Sequence, residues 1–277
     1  MKKLLFLLSA GMFAINATAQ DLPMPSPMGR LHQTVGLTEV KIDYSRPSAK
    51  GRKVFGELVP FDQLWRFGAN SCTKISTSTD LMINGKVVEM GTYSIFATPS
   101  EKGMWTIALN SDIDQSGTSS YDTQKDVVSI QVKPITATFT ETFTLEFANI
   151  THHSASIVMR WENLSVEIPF SVNTKEIAER NIATAIEKGE DLEKVYAKAA
   201  GYYYRSLNDS NTAMEYVEKG LVVKETHGLL FLKAQILHDK GDKKGAKDAA
   251  EKAYKLALDA DAKGYADYIK STMDSWK

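Results

Sequence analysis

The sequence of 277 residues predicts a β-then-α protein, with an antiparallel β-sandwich or jelly-roll-like domain followed by a domain of helical hairpins. Between about Gln33 and Phe170 the apolar residues recur at every second position, which is typical of strands with one buried face. From Asn173 onward proline is absent, and the apolar period lengthens to that of helices. We therefore predict a β-sandwich domain over residues 28–171 and a helical domain over residues 173–277.

The N-terminus has the pattern of a cleavable export signal. Two lysines precede an apolar run that extends to Ile15, and small residues lead up to Ala19, as signal peptidase requires. A membrane anchor is disfavoured because the run is shorter than the roughly 20 residues of a spanning helix. We predict a signal peptide at residues 1–19, a proline-rich segment at 20–27, and a periplasmic or otherwise extracytoplasmic location without a membrane span in the mature chain.

Net charge and cysteine content narrow the classes of function. Loss of the export signal removes two lysines, so the formal net charge changes from −1 to −3. Because nucleic-acid binding needs a concentrated basic surface, we predict no nucleic-acid partner. The single cysteine, Cys72, cannot form an internal disulfide. It begins a strand-like run with no histidine nearby in sequence, so we predict a buried structural thiol.

Short alternating runs and one tight turn indicate the strands of the β domain. Asn84-Gly85 predicts a two-residue hairpin, because both central positions of that turn need positive φ. Strands joined by turn residues, without helical spacing between them, favour an antiparallel arrangement. The alternating runs are Val40–Tyr44, Trp105–Leu109, Val128–Val132, Phe143–Phe147, Ile157–Trp161 and Val166–Phe170.

About six helices are predicted in the second domain. Asn173 and Glu176 form a plausible capping box, in which the asparagine side chain accepts an amide hydrogen and the glutamate reaches back to the N–H of the cap residue. Glycine and short polar residues then interrupt the helical pattern five times. The breaks fall near Gly189–Asp191, Asn208–Ser210, Glu225–Gly228, Gly241–Asp242 and Asp259–Asp261.

The helical domain contains a faint internal repeat with an offset of 33 residues. Asp209 aligns with Asp242, and Ala213 aligns with Ala246. The period and the small residues resemble tetratricopeptide repeats, with Gly241–Ala253 as the second helix of one repeat. A simple bundle of α-hairpins is the alternative. In either case we expect the helices to offer a docking surface for a protein partner.

The most unusual composition lies in Tyr44–Asn70, which we call the basic-aromatic segment. Guanidinium groups match carboxylates and phosphates, and aromatic faces suit sugars or organic cations. The segment is therefore predicted to bind an anionic or carbohydrate-like small ligand, such as an envelope glycan fragment. The alternative is structural: its glycines and prolines shape turns, its aromatics fill the sandwich and its arginines bind carbonyl groups. The candidate ligand-binding residues are Tyr44, Arg46, Lys50, Arg52, Trp65, Arg66 and Asn70.

Several motifs in the basic-aromatic segment and in the strands after it form a recognisable set. They are Tyr44-Ser45-Arg46-Pro47, Lys50-Gly51-Arg52, Leu58-Val59-Pro60, Trp65-Arg66-Phe67-Gly68-Ala69-Asn70 and Gly91-Thr92-Tyr93-Ser94-Ile95-Phe96, followed by Trp105-Thr106-Ile107 and Leu109-Asn110. Together they resemble the domain of unknown function 2911, which occurs in exported bacterial proteins. The resemblance covers most of the β domain, and in many members a helical repeat-like tail follows. It implies no particular reaction or ligand, but it makes the basic-aromatic segment the defining feature of the family.

Two further functions are compatible with the sequence. An envelope hydrolase or isomerase would use the same pocket with an acidic residue, for which Asp43, Glu57 and Asp62 are the first candidates. A purely structural scaffold would bury the aromatic residues of the segment. His152-His153 is the only histidine cluster, and adjacent strand residues point to opposite faces, so we interpret the pair as a turn. No metal site and no cofactor are predicted.

Overall fold

The computed structural model describes residues 22–276 and divides the chain into two compact units, one ending at Val172 and one beginning at Asn173. The described part of the first unit contains antiparallel strands, and that of the second contains helices. The β-then-α prediction is therefore confirmed. The predicted signal peptide at residues 1–19 lies outside the described residues. In the described range, no helix has the length and apolar character needed to cross a membrane.

The strands of the first unit form two antiparallel sheets. The strands are β1 Met28–Val35, β2 Thr38–Ser45, β3 Thr73–Thr77, β4 Leu81–Ile83, β5 Lys86–Val88, β6 Gly91–Thr98, β7 Trp105–Asn110, β8 Asp126–Val132, β9 Ile135–Ala148 and β10 Ser154–Val172. One sheet has the order β1-β2-β3-β6-β7-β8, and the other has the order β5-β4-β10-β9. Buried side chains from both sheets, among them Trp105 and Trp161, belong to one hydrophobic cluster.

The predicted two-residue hairpin joins β4 to β5. Its central residues have positive φ angles, 50° at Asn84 and 74° at Gly85, as the turn type requires. Leu81 pairs with Val88 across the hairpin. The prediction is confirmed.

The last two predicted runs of the β domain form one strand, β10. Met159 and Trp161 are buried at odd positions, whereas Val166 and Ile168 are buried at even positions. Glu162 has a φ of 54°, and the pairing of β10 with β9 shifts register on both sides of it. Before this β-bulge the odd-numbered residues face the core, and after it the even-numbered residues do. In the sequence, the single strand β10 therefore looks like two separate strands.

The helices of the second unit follow the predicted breaks. At the first helix, the Asn173 side chain accepts a hydrogen bond of 3.4 Å from the Glu176 N–H. The Glu176 carboxylate accepts from the side-chain amide of Asn173 rather than from its backbone N–H, so only half of the predicted capping box forms as expected. The helices are α1 Thr174–Lys188, α2 Leu192–Arg205, α3 Ser210–Val223, α4 His227–Asp239, α5 Lys243–Asp259 and α6 Lys263–Ser275.

The offset of 33 residues relates the hairpin α2-α3 to the hairpin α4-α5. Asp209 caps α3 by accepting from two backbone N–H groups, and Asp242 caps α5 by accepting from the Gly245 N–H at 2.9 Å. Ala213 and Ala246 are both fully buried. Small side chains at these places let the paired helices approach closely, as the sequence predicted.

Candidate functional site

The basic-aromatic segment connects β2 to β3 and makes backbone hydrogen bonds with strands of both sheets. The Pro47 carbonyl accepts from the Phe143 N–H of β9 at 2.8 Å. Farther along, Trp65 exchanges two backbone hydrogen bonds with Ala97 in β6, of 2.7 and 2.8 Å. The segment therefore leaves the six-stranded sheet, pairs with the edge of the four-stranded sheet and then returns.

The two candidate aromatic residues of the segment are buried. Trp65 is 7% exposed, its indole N–H donates to the Gly68 carbonyl at 3.0 Å, and its ring stacks on Trp161 at a centroid distance of 6.0 Å. Tyr44 is 4% exposed, and its hydroxyl bonds to both backbone groups of Leu145. Both rings contribute to the core, which favours the structural interpretation for these two side chains.

Two of the candidate arginines bind the protein's own oxygen atoms. The Arg46 guanidinium donates to the Phe143 carbonyl at 3.2 Å and to Thr144 Oγ1 at 3.0 Å. The Arg52 guanidinium donates to the carbonyls of Ala49, at 2.9 Å, and Ser48, at 2.8 Å. Arg46 therefore holds the segment against β9, and Arg52 holds the turn at Ser48–Arg52 within the segment, as the structural alternative expected.

Lys50 and Asn70 occupy left-handed turn positions on the surface. Lys50 has a φ of 51°, and its backbone N–H donates to Glu141 Oε1 at 2.8 Å. Asn70 has a φ of 56°, and its side-chain amide donates to the Ser26 carbonyl and to Ser45 Oγ, both at 3.2 Å. Asn70 thereby ties the proline-rich segment to the end of β2.

Arg66 differs from the other candidates, because its buried Nε has no hydrogen-bond partner among the described residues. Burial raises the pKa of the nearby Cys72 thiol, although the positive charge of Arg66 acts in the opposite direction. The thiol is 3% exposed and donates to the Gly117 carbonyl at 3.4 Å, as expected of a structural cysteine. Ligand binding by Arg66, or by the other six candidate residues, remains a prediction.

The carboxyl groups with shifted pKa values do not mark a general acid. A hydrogen bond from Lys125 lowers the pKa of Asp112, and a hydrogen bond from Lys194 lowers that of Asp191. A general acid at neutral pH needs the opposite shift. Within residues 22–276, no group of three or more histidine, cysteine or acidic side chains could hold a metal ion. His152-His153 lies in the turn between β9 and β10.

The helices α2, α4 and α6 form a surface that we call the aromatic face, which consists of Tyr204, Arg205, Phe231, Asp239, Tyr265 and Tyr268. The sequence predicted a docking surface on the helices but did not identify these residues. Phe231 of α4 is buried, with its ring centroid 6.0 Å from Tyr265 and 5.5 Å from Tyr268, both in α6. The Tyr204 hydroxyl of α2 donates to Asp239 Oδ2 of α4 at 2.5 Å. Tyr268 is 53% exposed, so the face presents aromatic surface above a buried aromatic base.

Arg205 follows Tyr204 at the end of α2, and its positive charge acts on two tyrosines of the aromatic face. Burial raises the pKa of Tyr265, and the Arg205 charge acts against that shift. Burial and the hydrogen bond to Asp239 raise the pKa of Tyr204, again with Arg205 in opposition. Arg205 is exposed and ends α2. The signal in the sequence was the spacing of Tyr265 and Tyr268 by three residues, which places both on one side of α6 but does not distinguish a binding surface from core packing.

Comparison with known families agrees with both resemblances. A family model described as a protein of unknown function, DUF2911, matches residues 26–170, which is more than half of the chain. A tetratricopeptide repeat model matches residues 227–259, which begin with the first residue of α4 and end with the last residue of α5. No curated protein and no solved structure matches the chain.

Proposed function

The chain belongs to the DUF2911 family of proteins of unknown function, and we propose that it is a binding protein whose helical unit takes up a polypeptide partner on the aromatic face. The observation that carries this proposal is the tetratricopeptide repeat over α4 and α5, since repeats of this class form extended binding surfaces.

The composition of the aromatic face supports polypeptide binding. Tyrosine and arginine are enriched among the residues that dominate protein interfaces, because tyrosine supplies a large, rigid contact area and arginine supplies a planar set of hydrogen-bond donors. The face combines the half-exposed Tyr268 and the exposed Arg205 with Asp239, which offers an acceptor. Phe231 packs beneath and holds the rings of α6 in place.

Site-specific crosslinking tests this proposal. A photoreactive amino acid replaces Tyr268 in the full chain, which is expressed in its own cells and irradiated. We expect discrete adducts with one or a few polypeptides. The matched control places the same residue at Val222 of α3, which is 88% exposed and belongs to a second helix of a hairpin. Equal labelling at both positions, or none at Tyr268, would contradict the proposal.

An independent test measures how substitutions in the aromatic face change the affinity for the partner. In the Tyr268→Ala, Arg205→Ala double variant, affinity for the crosslinked partner should fall at least about tenfold, because hot-spot side chains each contribute about 2 kcal/mol or more. A Val222→Ala variant should bind as the original protein does. Calorimetry with the purified partner measures both.

Export is the second part of the proposal, supported by the basic, apolar and small-residue pattern of residues 1–19. N-terminal sequencing of the protein from an extracytoplasmic fraction should begin at Gln20. A chain that retains Met1 and fractionates with the cytoplasm would refute export without affecting the proposal for the aromatic face.

A further inference from the structure

A cavity of 390 Å³ lies at one end of the helical unit, where α4 and α6 end and α5 begins. Its volume falls within the range of small-ligand cavities, about 300–1,000 Å³. It is lined by His238, Lys243, Lys247, Met273, Asp274 and Trp276.

The lining of the cavity includes flat and apolar side chains. The Trp276 ring stacks on His238, with a centroid distance of 4.6 Å and an angle of 14° between the planes. The Phe231 ring centroid lies 6.4 Å from that of Trp276, with an angle of 20° between the planes. Met273 adds a flexible apolar side chain. Side chains of this kind suit a planar or apolar group of similar size.

The lining of the cavity also carries positive charge, from Lys243 and Lys247. Among the described residues, the Lys243 ammonium has no ion-pair partner, and Lys247 lies 3.8 Å from Glu251 on its own helix. One carboxylate, Asp274, also lines the cavity, so the lysines leave an excess of positive charge. Lys243 is the first residue of α5, and Lys247 follows one turn later. The Asp242 carboxylate caps this helix end by accepting from the Gly245 N–H, and no ion pair joins it to either lysine among the described residues.

The internal repeat shows that the fold does not require these lysines. In α3, 33 residues earlier, the equivalent positions are Ser210 and Met214. The capping aspartate and the buried alanine are the same in both helices, whereas the two lysines occur only in α5. The positive charge therefore belongs to the cavity rather than to the architecture of the repeat.

We propose that this cavity binds a carboxylate attached to a planar or apolar group. The ammonium groups of Lys243 and Lys247 bind the carboxylate, and Trp276 with Met273 covers the attached group. The cavity adjoins the aromatic face, because Phe231 contacts both Tyr268 and Trp276, but it has its own lining residues. A free organic acid or an acidic side chain of a polypeptide supplies the same chemistry.

Calorimetric titration of the mature full-length protein with phenylacetate tests the proposal, with the neutral phenylacetamide as comparison. We expect phenylacetate to bind and phenylacetamide to bind at least about tenfold more weakly, since charge-assisted hydrogen bonds are about twice as strong as neutral ones. The Lys243→Ser, Lys247→Met variant, which copies the residues of α3, should weaken phenylacetate binding about tenfold. Circular dichroism confirms that the helices remain folded in this variant.

The matched control is the Lys224→Gln, Lys244→Asn variant, which removes the same charge from exposed positions outside the cavity. It should bind phenylacetate as the original protein does. The proposal fails if phenylacetate does not bind, if the amide binds equally well, or if both lysine pairs have the same effect. Tighter binding of the blocked dipeptide N-acetyl-Phe-Glu-amide than of phenylacetate would support the site with a polypeptide source, and the reverse order would support it with a free acid.

Discussion

The basic-aromatic segment and the aromatic face contain the same residue types but use them in opposite ways. In the β unit, Trp65 and Tyr44 are buried and their polar atoms bond to backbone groups. In the helical unit, Tyr268 is half-exposed above the buried Phe231. A segment rich in aromatic and basic residues can therefore stabilise the fold or bind a partner, and its composition does not distinguish these two roles.

The arginines of the two regions repeat this contrast. Arg46 places its donors on the Phe143 carbonyl and Thr144 Oγ1. Arg205 lies against Gly201 on its own helix and is exposed. One guanidinium completes the hydrogen bonding of a sheet, and the other remains accessible to a partner.

The largest expected effect on stability comes from removing the buried indole ring of Trp65, and it tests the contrast between the buried and the exposed aromatic residues. Trp65→Ala should lower the free energy of unfolding of the β unit by about 3–5 kcal/mol, because it leaves a cavity among aromatic rings. Tyr268→Ala should cost the helical unit less than about 1 kcal/mol, since that ring is 53% exposed. Urea unfolding monitored by fluorescence and circular dichroism measures both, and similar costs would break the contrast.

A glycine in the basic-aromatic segment provides a second test. A Cβ at Gly68 would lie 2.9 Å from Thr73 Oγ1 and 3.2 Å from the Ser45 carbonyl oxygen. Gly68→Ala should therefore cost about 2–3 kcal/mol of unfolding free energy through overpacking. A Cβ added at Gly228 of α4 would meet no atom within 4 Å. Gly228→Ala is therefore the control and should not destabilise the protein. Thermal denaturation of the two variants distinguishes them.

The arginines within the basic-aromatic segment should also differ. Arg46→Met should cost about 1–2 kcal/mol, because two acceptors of β9 lose their donors. Arg66→Met should cost less than about 1 kcal/mol, since its Nε has no partner to lose. Chemical denaturation measures both values. A larger cost at Arg66 than at Arg46 would show that the stability of the segment depends on contacts other than these hydrogen bonds.

The smallest expected effect is a difference in alkaline stability. Burial, together with a hydrogen bond to Glu179, raises the pKa of Tyr203 to about 12. Unfolded tyrosine loses its proton near pH 10, so this contribution to stability is intact below about pH 10 and is lost as the pH rises towards 12. Tyr203→Phe should flatten the decline in helical circular dichroism over this range. If the decline in helical circular dichroism between pH 10 and 12 is as steep in the variant as in the original protein, Tyr203 does not contribute to alkaline stability in this way.

The sequence predicted the fold class and the helix breaks better than it predicted the exposure of side chains. Hydrophobic period and turn residues are local signals, and they located the hairpin at Asn84-Gly85 and the helix breaks. Exposure depends on contacts between distant residues. The hydrogen bond from Tyr44 to Leu145 and the contact of Phe231 with Tyr268 arise only when strands and helices assemble. The sequence also did not predict the bulge at Glu162. The buried positions change from odd to even residue numbers there, and in a sequence this looks like the end of one strand and the start of another.

The long reach of the basic-aromatic segment has a consequence for the order of folding. Tyr44 and Arg46 form hydrogen bonds with residues that follow them by 101 and 97 positions. Forming these contacts in the β unit closes large loops, which costs conformational entropy. The helical hairpins pair neighbours such as α2 with α3 across a short turn. Because folding rates fall as the sequence separation of contacts grows, the unit that comes last in the chain is expected to fold faster than the unit that precedes it.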